Sequence, residues 1–147
     1  ERMNEFLEKC GFTVLTDDIV TLDNGNIYLI GRLDREKAGD GTSDRMSINK
    51  LMENVDKSKV IIDLEHEPAN LDGIANSGVD IMLCGHTHAG QFFPLTIVQP
   101  LAWQNYHGYL KVGNMHNFVT SGVGLYGPNM RVFTDSEVME INVNFKN

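Results

Sequence analysis

Two short apolar runs, Lys59-Val60-Ile61-Ile62-Asp63-Leu64 and Gly78-Val79-Asp80-Ile81-Met82-Leu83-Cys84, constrain this chain more than any other feature. Each is dense in aliphatic side chains and stops at turn-forming residues, the pattern of a buried strand. Pro68 cannot donate to a sheet ladder, so the first run leaves its sheet through Glu65-His66-Glu67-Pro68. Between the runs, Ala69 to Ser77 is predicted as a short helix with Gly78 as its C-cap. Strand, helix, strand in that order demands a right-handed crossover between parallel strands. Their carboxyl ends then share one edge, where open α/β sheets hold ligands. Histidine stands at both exits: His66 after the first run, and Gly85-His86-Thr87-His88 after the second.

Residues two apart on a helix point to different sides, so His86 and His88 cannot share a helical face. In a turn leaving a strand, both rings can be presented at the sheet edge. Neutral imidazole is the commonest protein metal ligand. Gly85 is expected to let the backbone approach closely, and Gly90 to free it to turn away. On spacing alone two readings stand: a metal-binding corner, or a polar turn whose histidines bond backbone and water. His66 at the same edge adds a third imidazole to the first reading.

Leu64-Glu65-His66-Glu67-Pro68 followed by Gly85-His86-Thr87-His88-Ala89-Gly90-Gln91 resembles the last two motifs of the calcineurin-like metallophosphoesterases. The closing stretch strengthens the likeness: Gly113-Asn114, Val119-Thr120-Ser121-Gly122-Val123-Gly124, Gly127-Pro128, Arg131 and Ser136-Glu137-Val138 are similar to the end of a bacterial, often membrane-associated branch. Ala89 is a small departure, where that branch often has Gly or Asn. The resemblance implies an α/β fold, mixed α+β in detail: the C-terminal half of a layered αββα sandwich, a mixed sheet with flanking helices. It implies that His66 and His86 complete the shell of one divalent ion and His88 that of a second. Two ions (Mn, Fe or Zn) would serve hydrolysis of phosphomonoesters or phosphodiesters.

The family's earlier motifs, Asp-x-His, Gly-Asp and Gly-Asn-His-Asp/Glu, are not found in family context before His66. Asp34 and Gly39-Asp40 lie in a charged, glycine-rich stretch. The opening Glu1 to Gly11 resembles the helix that follows the Gly-Asn-His motif. Residues 1–147 are therefore expected to be the C-terminal portion of a longer phosphoesterase domain, inactive by themselves. Removing half of such a sandwich leaves a sheet face and a strand edge uncovered, so self-association, such as a homodimer, is expected.

Composition narrows the remaining choices. Twelve basic residues against twenty acidic ones give a net charge of −8, which excludes nucleic-acid binding by a basic surface. Anionic esters stay open, because bound cations would dominate the local field. No apolar run approaches the ~18 residues that span a bilayer. Cys10 and Cys84, far apart, are no disulfide framework.

Elsewhere, Met3, Phe6, Leu7 and Cys10 recur at helical spacing with Gly11 as a stop. Phe12 to Leu15 and Ile19 to Leu22 read as strands, and Asp23-Asn24-Gly25-Asn26 as a hairpin turn into Ile27 to Ile30. Arg32 to Asp44 reads as loop, and Ile48, Leu51, Met52 and Val55 as a second amphipathic helix. Beyond Gln91 the text reads as glycine-punctuated β-structure, with strands near Tyr109–Val112, Asn117–Thr120 and Val138–Phe145.

Several residues near the motifs carry two readings. Glu65 either accepts a hydrogen bond from a ligating ring N–H or is a solvated charge; Glu67 reads as solvated. Gln91 is a candidate to orient His88 or touch substrate. His107 and His116 read as structural and Asn114 as a turn residue, while Arg131 either reaches a phosphate or partners the acidic surface. Three alternatives remain, one of them a stable, metal-free fragment that retains half of a site. A cupin-type barrel also uses His-x-His but needs a later Pro-x-Gly, which this chain lacks. A closed structural zinc module would need a fourth ligand beside the three histidines, such as Cys84 or Asp63.

Overall fold

The computed structural model describes residues 2–34 and 45–144. Among them, six strands form one mixed sheet in the order β1-β2-β3-β4-β6-β5. The elements are α1 (Arg2–Lys9), β1 (Asp18–Leu22), β2 (Ile27–Gly31), α2 (Ile48–Leu51), β3 (Val60–Leu64), α3 (Leu71–Ser77), β4 (Ile81–Cys84), α4 (Leu95–Ala102), β5 (Gly108–Val112) and β6 (Met115–Val119). The expected α/β class, a mixed sheet with flanking helices, is what the chain adopts. The crossover is as predicted: β3 and β4 are parallel neighbours, with Ile62 opposite Ile81 and Leu64 opposite Leu83. Gly78 caps α3 at φ 100°, its N–H bonding Ala75 O at 3.2 Å. Asn24 and Gly25 turn the β1–β2 hairpin at positive φ, and Leu22 pairs Ile27 across it.

Opposed residues in the register share a face. Ile30, Asp63, Met82 and Asn117 lie in one row across four strands. Ile61, Cys84, Met115 and Val119 belong to the same face, and α2 and α3 cover it with Ile48, Leu71 and Ile74. The hydrophobic core sits here. The opposite face carries Val20, Leu29, Ile62, Leu83 and Phe118, all only half-buried, with Leu22 and Leu64 exposed.

Three sequence expectations fail. Phe12–Leu15 is not a strand; it runs as coil so that Leu15 crosses Gly31, where an added Cβ would collide with the Leu15 side chain. The segment after Gln91 does not continue as β-structure but leads into α4 (Leu95–Ala102), an apolar helix without glycine. Residues 138–144 alternate as expected yet make no ladder. Met139 and Ile141 instead line a cavity of about 340 Å³ with Leu83 and Phe118. Helix α1 forms, but its apolar stripe is exposed at Met3 and Phe6. Most of the loop predicted at Arg32–Asp44, including Gly39 and Asp40, lies outside the described residues.

Candidate metal centre

Backbone bonds bring the two histidine corners together before any side chain is considered. Glu65 N–H donates to Leu83 O and Gly85 N–H to His66 O, both at 3.0 Å, carrying the parallel ladder one step past the strands. His66 Nε2 and His86 Nδ1 consequently lie 3.1 Å apart, with the rings edge to face. Two nitrogens bound to one ion at bonds of about 2.0–2.1 Å stand roughly 2.9–3.4 Å apart, so the spacing fits a shared ion. Glu67 Oε1 lies 3.8 Å from His86 Nε2 with most of its side chain buried, and is thus not the solvated charge expected from sequence.

His88 is held apart from this pair. Arg131 donates from Nη1 to its carbonyl at 3.2 Å, and Arg131 Nη2 is 3.4 Å from His88 Nδ1. Burial first, and then the Arg131 guanidinium, lower the His88 pKa below the usual imidazole range, which keeps the ring neutral and able to ligate. Among the described residues no three His, Cys, Asp or Glu side chains lie close enough together to hold a metal ion. The structure thus unites two of the three predicted imidazoles. It gathers no closed four-ligand set for the zinc-module reading: Asp63 lies in the core row beside Met82, and Cys84 Sγ accepts from Asn117 Nδ2 at 3.6 Å.

The corner is built from unusual backbone. His86, His88, Ala89 and Gln91 all have positive φ, at 69°, 51°, 51° and 53°. Left-handed non-glycine residues cost energy and persist only where surrounding contacts impose them. Thr87 supplies one such contact, its hydroxyl donating to Tyr106 O at 2.6 Å. Gly85, expected to permit a close approach, does not: an added Cβ there meets nothing within 4 Å. The close approach is at Gly90, at φ 85°, where a Cβ would lie 2.6 Å from Thr96 N and Cα.

The supporting residues have other jobs than spacing suggested. Gln91 is 2% exposed; it donates from Nε2 to Tyr126 O at 2.6 Å and accepts from Tyr126 N–H at 2.7 Å. Arg131 Nη2 also donates to Ser121, Gly122 and Gly124 carbonyls. It is an internal clamp rather than a surface partner, and with Gln91 it ties the glycine-rich tail behind the histidine corner. Glu65 is buried, not solvated, and its carboxylate meets Arg45 and Arg32. His107 and His116 are structural as expected, paired with Glu137 at 2.9 Å and Tyr109 at 2.9 Å. Trp103, which no motif marked, lays its ring against His86 with centroids 5.5 Å apart.

No family model matches the chain, and no solved structure does. It is 34% identical to an uncharacterized metallophosphoesterase of Helicobacter pylori, over all of this chain and 40% of that protein. To an Aquifex aeolicus metallophosphoesterase it is 31% identical, over 97% of this chain and 54% of that one. A zebrafish protein, named as a transmembrane protein with metallophosphoesterase domain, is 37% identical over 65% of this chain and 23% of its own length. With its parallel strands ending in two histidine corners, the chain belongs to the calcineurin-like metallophosphoesterase superfamily. It spans about 40% of the length of the Helicobacter relatives.

Proposed function

We propose that the intact protein is a metal-dependent phosphoesterase, hydrolysing phosphomonoesters or phosphodiesters at a two-ion centre, and that this chain supplies His66, His86 and His88 to it. The observation that carries this reading is the 3.1 Å approach of His66 Nε2 to His86 Nδ1 at the common edge of β3 and β4. Two divalent ions, if bound there, would supply a water of lowered pKa and positive charge to offset the charge on the phosphate oxygens. His66 and His86 would hold one ion through their ring nitrogens, and Arg131, which bonds the His88 carbonyl, would help position His88 for the other. Imidazole donors suit Mn, Fe and Zn alike. These three imidazoles leave either ion short of ligands, so the isolated chain is expected not to turn over substrate. Membrane association, which the zebrafish relative's name states for that protein, is carried over here as part of the same proposal.

In the intact protein, His86→Ala should lower phosphoester hydrolysis by on the order of a thousandfold, since a lost ligand forfeits several kcal/mol of ion-borne stabilisation. A wild-type rate in that variant would refute the assignment.

A further inference from the structure

Little in the backbone orients the ring of His86. The residue follows Gly85 at a positive φ of 69°, outside any helix or strand, and its side chain is 35% exposed. Neither a sheet ladder nor enclosure in the core therefore fixes the plane of the imidazole. Among the described residues one hydrogen bond reaches the ring, the 3.1 Å approach of Nδ1 to His66 Nε2. The same two nitrogens cannot keep that bond and share an ion. The bond needs a proton on one of them, and ligation needs a lone pair on both. Whatever holds His86 in place around a bound ion must act on the ring by another contact.

Trp103 makes such a contact. Its ring meets that of His86 at 69° with centroids 5.5 Å apart, the edge arrangement that aromatic pairs favour. Core filling does not account for its place: the indole is only half-buried and belongs neither to the hydrophobic core nor to the side chains packed on it. Its mount, by contrast, is firm. Trp103 ends α4 in extended conformation, with its N–H on Gln99 O at 3.2 Å. Three residues on, Tyr106 O accepts the Thr87 hydroxyl at 2.6 Å, which ties this segment to the residue beside His86. Between them the buried Asn105 donates to Asn117 Oδ1 at 2.7 Å, in the core row of β6. We infer that Trp103 is a positioning residue for the proposed centre. Its indole holds the plane of the His86 imidazole, so that Nδ1 stays directed toward His66 when an ion replaces the bond between them. This rests on the reading of His66 and His86 as ligands of one ion.

Trp103 is the sole tryptophan of the chain, so Cu²⁺, which quenches indole emission at short range, reports its own arrival beside the ring. Cu²⁺ alone, added to the full chain below one equivalent, should quench Trp103 and give an electron paramagnetic resonance spectrum with two imidazole nitrogens. His66→Ala should leave one. Trp103→Leu should reduce the spectrum to one bound imidazole and weaken Zn²⁺ binding, read by competition with a chromophoric chelator, by at least about threefold, with unchanged circular dichroism. Trp103→Phe, which keeps an aromatic ring at that place, should restore both readouts. Two bound imidazoles and wild-type Zn²⁺ affinity in Trp103→Leu overturn the proposal, as does a Phe variant that behaves like the Leu variant. Emission unchanged at full Cu²⁺ occupancy of the wild-type pair overturns it whether or not the variants fold. A wild-type spectrum that never shows two imidazoles refutes the shared-ion reading and the proposal with it, whereas equality of variant and wild type refutes the proposal alone.

Discussion

At Ala89 the chain places a side chain where φ is 51° and ψ 28°, a conformation that favours glycine by roughly 1 kcal/mol. Ala89→Gly should accordingly raise the unfolding free energy by about 1 kcal/mol, less the backbone entropy that glycine adds to the unfolded chain, as read from denaturant melts. A loss of stability instead would mean that the alanine methyl makes packing contacts worth more than the strain. Asp63 is the other costly residue. It is 0% exposed, neither carboxylate oxygen has a hydrogen-bond partner among the described residues, and burial, opposed by Arg32, raises its pKa to about 7. A carboxyl whose folded pKa lies above its unfolded value binds its proton more tightly in the fold. Its contribution is therefore most favourable at low pH and is lost as pH rises from about 4 to about 7. Asp63→Asn should flatten stability across that window and make the protein more stable than wild type at pH 8. A variant less stable there would show that the charge is compensated.

Whole elements were legible where pattern and punctuation agreed, as in β3, α3 and β4, whose strand–helix–strand order already fixed the shared edge of His66 and His86. They were illegible where a segment had pattern without a neighbour. The stretch 138–144 alternates, but is held by side chains: just before it, Glu137 accepts from Ser121 N–H at 2.8 Å, and no strand pairs it among the described residues. The roles of Gln91 and Arg131 were hidden because their partners are mostly backbone groups of the tail, 30 or more residues downstream of Gln91, and backbone groups leave no signature in sequence. Trp103 met His86 only through α4, which was itself unforeseen. That helix depends on Gly90, whose Cβ position is filled by Thr96 backbone. Gly90→Ala should cost about 1–3 kcal/mol through positive φ and overpacking, and move the Trp103 emission as the helix is displaced. An unchanged melt and spectrum would contradict the seating described.

Over the whole molecule, one sheet face is covered by α2 and α3 while the other leaves Leu22 and Leu64 46% and 36% exposed. Faces of this kind find partners, and the chain spans 40% of its Helicobacter relative, so in isolation it is expected to self-associate through this face. Sedimentation should show mass rising with concentration, and Leu22→Lys/Leu64→Lys should return the species to monomer. A wild-type monomer at high concentration would argue against it.

His66 and His86 are separated by a single crossover, Val60 to Cys84, and β2 and β6 only flank it. The rings that meet lie 20 residues apart, so one loop closure brings them together, at an entropic cost that grows only slowly with loop length. The same closure serves both the sheet and the histidine pair, while the tail held by Gln91 and Arg131 reaches the corner from outside it.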